Sequence, residues 1–166
     1  MEASSADEKA GYLDTSRLTP GELGGCISAV VLVLSMFLPW FGTSDSNPNS
    51  TIGGATGGDS VNAFQTFAIL DYLFLAAAAA PFILAWIVAR GHKLTWKPGE
   101  VTMIVGITAF VLILCNGIIL GKPGESVEIS LKIGYFVGML ACLGMAASGY
   151  LRQSRYTEGR KPPGVI

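Results

Sequence analysis

The sequence predicts an all-α membrane protein, a four-transmembrane-helix bundle with both termini in the cytoplasm. The chain of 166 residues is 51% hydrophobic and only 14% charged, whereas an average soluble domain is about 25% charged. Four apolar stretches approach or exceed the ~20 residues that a helix needs to cross a bilayer. The basic residues collect on one side of these stretches. Together these observations indicate a single membrane domain at residues 19–152.

The first predicted helix covers about residues 20–41. Thr19 suits the N-cap, Pro20 suits the first helical position, and Glu22 completes a capping box three residues after the cap. No charged residue follows until the polar loop, and Trp40 has the residue type that membrane interfaces prefer. These features predict a span that begins at Pro20 and ends near Trp40.

The segment before this helix, residues 1–18, is polar and acidic, which predicts a disordered cytoplasmic N-terminus. A cleaved signal peptide is the alternative interpretation of the first apolar run. A signal peptide has a shorter apolar part that follows a basic segment. The acidic segment here therefore favours a first span that is retained.

Three further helices are predicted at about residues 62–90, 98–120 and 132–152. The second begins with Asn62, and Gln65 three residues later forms a second capping pair. All three helices are apolar and as long as the bilayer core is thick, or longer. Each is therefore predicted to span the membrane.

The segments between and after these helices are polar. Residues 42–61, rich in Ser, Asn, Asp, Gly and Thr, predict a flexible loop. Apolar and polar residues alternate over Ser126–Leu131, which allows a short strand there. The basic tail, residues 153–166, is predicted to be disordered and cytoplasmic.

The orientation follows from the positions of the eleven Lys and Arg residues. Nine fall on the side that carries the termini and the loop between the second and third helices, and two fall on the other side, at Lys122 and Lys132. Basic residues accumulate in cytoplasmic loops. Both termini are therefore expected in the cytoplasm of a multi-pass protein.

Composition argues against several classes of function. A net charge of −1 leaves no basic face for a nucleic-acid partner. The three cysteines, Cys26, Cys115 and Cys142, lie inside apolar runs, where packing is their ordinary role. His92 is the only histidine, which predicts neither a Ser-His-Asp set in the membrane nor a zinc or haem site. We expect no catalytic residues, no bound metal and no cofactor.

The carboxylate of Asp71 is the most informative candidate site. It lies 18 residues before Ala89, at the cytoplasmic end of the second helix, or about 27 Å away. This depth is near the outer boundary of the membrane core. Two interpretations remain open: an interfacial aspartate that caps or hydrogen-bonds a neighbour, or a contact for a ligand, proton or ion.

A partner for Asp71 is expected in the third helix. Asn116 lies 16 residues after Glu100, about 24 Å along the helix and at a depth similar to that of Asp71. The two side chains are expected to face inward and to hydrogen-bond across the bundle. Gln65 and Tyr72 complete this candidate polar site, which forms either a structural clasp or the floor of a vestibule.

Small residues recur at four-residue spacing in the first and fourth helices. Gly21 and Gly25 lie in the first, and Gly134 and Gly138 in the fourth. Such glycines let helix backbones approach closely in a membrane. They are predicted to pack these two helices together, and dimerisation is the alternative use.

Several motifs together give the chain a family resemblance: Pro20-Gly21-Glu22-Leu23, Met36-Phe37-Leu38-Pro39-Trp40-Phe41, Asn62-Ala63-Phe64-Gln65 and Asp71. From about Arg17 to Arg152 the chain resembles uncharacterised four-span integral membrane proteins of actinobacteria and related bacteria. The resemblance implies a bacterial cytoplasmic membrane and marks Trp40, Asn62, Gln65 and Asp71 as a recurring set. It implies no activity.

The leading hypothesis is a non-enzymatic accessory, scaffold or assembly subunit, with the lipid bilayer and either a membrane protein or further copies of this chain as partners. The alternative is a small transporter or channel component that uses Asp71 and Asn116. An enzyme acting on lipid or quinone is a third class. Co-purifying partners would favour the first hypothesis, and an ion flux that Asp71→Asn abolishes would favour the second.

Overall fold

The computed structural model describes residues 15–91, 97–123 and 128–158. The predicted disorder of residues 1–14 and 159–166 falls outside these ranges. In chain order the elements are α1 (Pro20–Ser35), β1 (Phe41–Gly42), β2 (Ser60–Val61), α2 (Ala63–Thr66), α3 (Leu70–Ala89), α4 (Pro98–Leu114), β3 (Ser130–Leu131) and α5 (Ile133–Glu158). A 3-10 turn at Thr15–Arg17 precedes α1, and a π-helical segment at Cys115–Ile119 continues α4.

Three of the described helices are long and apolar enough to cross a membrane. They cover Leu70–Ala89, Gly99–Ile119 and Ile133–Arg155, with mean hydropathies of 2.2, 2.3 and 1.4. Helix α1 is also apolar but has only 16 residues. The chain is therefore mostly helical and compatible with a membrane-embedded protein.

Helix α1 ends at Ser35, six residues before the predicted boundary. The backbone N–H groups of Phe37 and Leu38 bond three residues back, to Leu34 and Ser35. Pro39 then has no N–H to donate and disfavours helical backbone in the residue before it. The chain leaves the helix here and continues as the extended segment that includes β1.

The second predicted helix is two helices, α2 and α3. Asn62 and Gln65 form the predicted capping pair at the start of α2, which ends after one turn because Phe67 has extended backbone, with φ −108° and ψ 143°. Helix α3 begins at Leu70. The continuous helix predicted for residues 62–90 is thus interrupted at 67–69, which brings the Phe67 ring inside.

The loop predicted for residues 42–61 begins and ends in a small antiparallel sheet, so the chain is not purely α-helical. The strand order is β2-β1-β3, with Phe41 opposite Val61 on one side and opposite Leu131 on the other. The third strand lies at the end of the predicted Ser126–Leu131 stretch. The sheet closes one end of the bundle, here called the sheet end. The opposite end, where α1 begins, is the termini end.

The last helix, α5, continues past the end predicted for the fourth span. α5 runs to Glu158, six residues beyond Arg152, so the tail predicted to be disordered from residue 153 starts as helix. The long helices form a ring in which α5 contacts α1 and α4, and α3 contacts the same two helices from the other side. Each helix in this ring runs antiparallel to its neighbours.

Small residues bring α5 close to both of its neighbours. A Cβ added to Gly21 would lie 2.9 Å from Arg152 Cβ, and one added to Gly24 would lie 2.7 Å from Ser148 Oγ. Toward α4, a Cβ added to Gly106 would lie 2.6 Å from the Ala146 backbone nitrogen. A methyl group does not fit at these positions, so glycine sets the helix spacing, as expected in a membrane.

The four predicted packing glycines have different partners. Gly21 meets α5, but Gly25 faces Thr102 of α4, with an added Cβ 3.3 Å from Thr102 Cγ2. Gly134 and Gly138 receive the indole of Trp40, with added Cβ atoms 2.5 Å from Cδ1 and 2.9 Å from Cζ2. At the sheet end, the glycines of α5 therefore make room for a side chain, the Trp40 indole, rather than for the backbone of a neighbouring helix.

Trp40 is fully buried at the centre of an aromatic cluster. Its ring centroid lies 5.9 Å from Phe67, 5.8 Å from Phe74 and 6.0 Å from Tyr135. Its indole N–H donates to the Ser35 carbonyl over 2.7 Å. Three helices and the connection after α1 thus contribute to one core at the sheet end.

An ion pair joins α1 and α5 at the termini end. Arg152 Nε lies 2.5 Å from Glu22 Oε1, and the other oxygen of Glu22 accepts from the Thr19 backbone N–H over 2.6 Å. The pair is largely buried, with the Glu22 side chain 7% exposed. Glu22 lies in the first turn of α1, where the helix dipole stabilises a carboxylate.

We expect Gly138→Leu to lower stability, because its side chain must displace Trp40 from the notch. Overpacking of this kind costs about 1–3 kcal/mol. The matched control is Ala147→Leu, on the exposed face of the same helix. Thermal unfolding followed by size-exclusion chromatography in detergent measures the difference. An unchanged melting temperature for Gly138→Leu would contradict the seating of Trp40.

Candidate functional site

Asp71 lies in the first turn of α3, at the sheet end, and is 8% exposed. Its Oδ1 atom accepts a hydrogen bond from the Tyr72 backbone N–H over 2.8 Å. The first N–H groups of a helix have no intrahelical acceptor, and the helix dipole stabilises a carboxylate at this position. The aspartate therefore satisfies one N–H group in the first turn of its own helix, and the two interpretations of Asp71 stay predictions.

Asn116 lies in the π-helical segment, where its backbone leaves the helical region with φ −88° and ψ 31°. Its side-chain amide donates to the Leu112 carbonyl over 2.9 Å, one turn back in α4. The asparagine thus bonds to its own helix where the helical hydrogen-bond pattern changes. Such π segments break the regular register of a helix.

The structure does not join the four predicted polar residues into one hydrogen-bonded site. Asp71 and Asn116 share no hydrogen bond, although both are described. Gln65 is engaged with Asn62 in the α2 capping box. Tyr72 is 68% exposed. The expected clasp between α3 and α4 is replaced by local bonds within each helix.

Tyr135 is the polar residue that does link two helices, and the sequence analysis did not single it out. Its hydroxyl donates to the Ile113 carbonyl of α4 over 3.0 Å, and the side chain is fully buried. Its ring lies directly against Gly117, where no Cβ would fit. A glycine just before the polar loop and a tyrosine just after it were the only available signals.

A polar groove of about 340 Å³ opens on the sheet end, lined by Thr43, Ser44, Lys122, Glu128, Ile129 and Ser130. Its hydroxyl groups are largely committed to the fold. Thr43 Oγ1 donates to the Asp59 carbonyl and Ser130 Oγ to the Gly42 carbonyl, each over 3.2 Å. The groove therefore consists of groups that hold the sheet together, with one lysine and one glutamate at its rim.

No group of three or more His, Cys, Asp or Glu side chains is arranged to hold a metal ion in residues 15–91, 97–123 and 128–158. The three cysteines in these ranges are free thiols in α1, the π segment and α5.

Comparison of the chain with protein-family models, with curated proteins and with solved structures gave no match. The resemblance to four-span actinobacterial proteins stays a prediction.

A double-mutant cycle tests the local bonding of Asp71 and Asn116. Asp71→Ala and Asn116→Ala should each cost about 1 kcal/mol, because each removes one side-chain hydrogen bond to the backbone. Because the two side chains share no partner, their effects should add within about 0.5 kcal/mol. The free energy of unfolding in mixed detergent micelles is measured for the parent chain, the two single variants and the double variant. A coupling energy above about 1 kcal/mol would show that they interact.

Proposed function

We propose that this chain is a four-span protein of the bacterial cytoplasmic membrane, with both termini cytoplasmic, and that it is a non-enzymatic assembly or scaffold subunit. The proposal rests on one observation, namely which partners the polar groups of the helices bond to. Asp71, Asn116 and Tyr135 each bond to helix backbone, and Glu22 pairs with Arg152. These groups serve the bundle itself, which leaves its apolar outer faces for contacts.

The proposed first span consists of α1 and the extended residues that follow it. Sixteen residues rise about 24 Å, less than the ~30 Å hydrocarbon core. Non-helical backbone is tolerated at membrane depth where protein surrounds it and its polar groups are bonded. Here Trp40 N–H donates to the Val61 carbonyl, and the Pro39 and Trp40 carbonyls accept from Gly134 and Lys132, each over 2.8 Å.

The proposed orientation rests on the charges at the two ends of the bundle. Five described basic residues belong to the termini end: Arg17, Arg90, Lys97, Arg152 and Arg155. Lys122 and Lys132 belong to the sheet end. The positive-inside rule then places the termini end in the cytoplasm and the sheet outside.

The accessory role is preferred to the transporter role because strand pairing and side-chain packing join the connecting segments at the sheet end. The strands join the connections after α1, before α2 and before α5 in one sheet. The Trp40 cluster fills the space beneath them, and glycine contacts close the α1–α5 and α4–α5 interfaces. Opening a pathway at this end would break the sheet and expose the aromatic core.

Partner contacts are proposed on the outer faces of the long helices, which carry large exposed apolar side chains such as Ile27, Ile83, Ile107 and Leu140. In a membrane these faces contact lipid, another protein or a second copy of the chain. A subunit role requires that one of these faces contacts protein.

The orientation is tested by accessibility of introduced cysteines. An impermeant maleimide added to intact cells should label cysteine at Asn49, which is exposed in the connection between β1 and β2. It should label cysteine at Arg155, exposed near the end of α5, only after the cells are opened. The parent chain with its own three cysteines replaced by alanine provides the background. Labelling of the Arg155 site in intact cells would overturn the orientation.

The subunit role is tested by photo-crosslinking in native membranes. A photoreactive residue is placed at Ile27, Ile83, Ile107 or Leu140, one exposed site per long helix, with fully buried Met145 as the control site. We expect one face to give a discrete protein adduct, identified by mass spectrometry as a membrane protein or a second copy. Lipid adducts alone at all four sites, together with an ion flux in liposomes that Asp71→Asn abolishes, would favour the transporter instead.

A further inference from the structure

A groove of about 410 Å³ lies along α4 at the termini end, lined by Glu100, Val101, Ile104 and Val105. Its volume falls in the range of sites for small molecules and lipid chains. The lining residues follow the spacing i, i+1, i+4 and i+5, which places them along one side of the helix. Among the described residues, the lining of the groove consists of one carboxylate and three aliphatic side chains.

This side of α4 faces away from α5. The α5 contacts of α4 come from Gly99, Met103 and Gly106, where the two backbones nearly touch. Ile104 is instead 53% exposed. In a membrane-embedded bundle the groove therefore faces the bilayer, and lipid is the molecule available to fill it.

Two opposite charges lie near one end of the groove: Glu100 lines it, and Lys97 precedes Glu100 by three residues. Glu100 is in the first turn of α4 and Lys97 is its N-cap residue, and both are half-buried. Among the described residues neither side chain forms a hydrogen bond or an ion pair, whereas Glu22 at the same end is paired with Arg152. A half-buried carboxylate at the edge of the hydrocarbon layer is costly unless a cation accompanies it.

We propose that this groove binds a phospholipid with a zwitterionic head group that carries a primary ammonium, namely phosphatidylethanolamine from the surrounding bilayer. The ammonium donates hydrogen bonds to the Glu100 carboxylate, and Lys97 contacts the phosphate. One acyl chain follows Val101, Ile104 and Val105. The pairing matches each charge of the head group with the opposite charge on the protein. It needs a bilayer location only, and depends on neither the orientation nor the partner proposed above.

The test is native mass spectrometry of the full chain released from nanodiscs that hold equal amounts of phosphatidylethanolamine, phosphatidylcholine and phosphatidylglycerol. We expect phosphatidylethanolamine to be retained in preference to the other two. Phosphatidylcholine has the same phosphate, but its quaternary ammonium has no N–H to donate. Phosphatidylglycerol has the phosphate without the cation.

Three variants assign the preference to the groove. Glu100→Gln should lower the retention of phosphatidylethanolamine relative to phosphatidylcholine by about two- to fivefold, the effect of one partly exposed ion pair. Ile104→Trp, at an exposed position, should lower retention by filling the groove. Glu128→Gln makes the same charge change at the sheet end and should leave the ratio unaltered. Melting temperatures confirm that each variant is folded.

Several results would overturn the proposal. Equal retention of the three lipids would show that the head group is not selected, and preference for phosphatidylglycerol would show that basic residues alone attract lipid. An unchanged ratio in Glu100→Gln or in Ile104→Trp would remove the carboxylate or the groove from the site. These outcomes leave the crosslinking result for the subunit role untouched, so the two proposals fail separately.

Discussion

The contact of the Trp40 indole with the backbone of α5 is the constraint on which the sheet end depends. A Cβ on Gly134 or Gly138 would overlap the ring, so only glycine at both positions admits it. The backbone of Trp40 is fixed as well. Its backbone N–H donates to the carbonyl of Val61 in β2, and its own carbonyl accepts from the backbone N–H of Lys132. Burial of one side chain therefore sets where α1 ends, where the sheet pairs and where α5 begins. Truncation of a buried tryptophan costs about 3–5 kcal/mol, a large share of the stability of a small domain.

The side chains of Asp71 and Asn116 bond within their own helices rather than across the bundle. The depth argument for Asp71 counted residues back from Ala89, and that stretch lies entirely within α3. Once the helix breaks at 67–69, Asp71 belongs to a new first turn with unpaired N–H groups beside it. An amide in a π segment likewise finds a carbonyl of its own helix. A nearby backbone group is a better partner than a distant side chain, because no second side chain must be ordered.

The sequence was sufficient for features that depend on local patterns. The capping residues Thr19 and Asn62, the apolar helices and the separation of charge all follow from residue type and spacing. Alternation allowed a strand at Ser126–Leu131, but β1, β2 and the pairing of the sheet were beyond prediction, since strands of two residues carry no measurable alternation. Burial of Trp40 was also hidden, because a tryptophan at the end of an apolar run is ordinarily an interfacial residue. The pairing of Tyr135 with Ile113 joins residues that are 22 positions apart, and no periodic signal reports such a contact.

The starts of α1 and α4, which both lie at the termini end, accommodate a first-turn carboxylate in different ways. At α1, Glu22 closes its capping box and also meets Arg152, so the helix start and the end of α5 are locked by one carboxylate. At α4, the equivalent first-turn residue Glu100 follows the same Pro-Gly-Glu pattern but forms no such bond with the described residues. Arg152 of α5 lies beside both helix starts, since a Cβ added to Gly21 would lie 2.9 Å from Arg152 Cβ and one added to Gly99 would lie 3.0 Å from it. Its guanidinium pairs with Glu22. The same Pro-Gly-Glu pattern thus makes a helix–helix lock at α1, where Glu22 binds the one arginine that both helix starts approach, and leaves Glu100 of α4 without that partner.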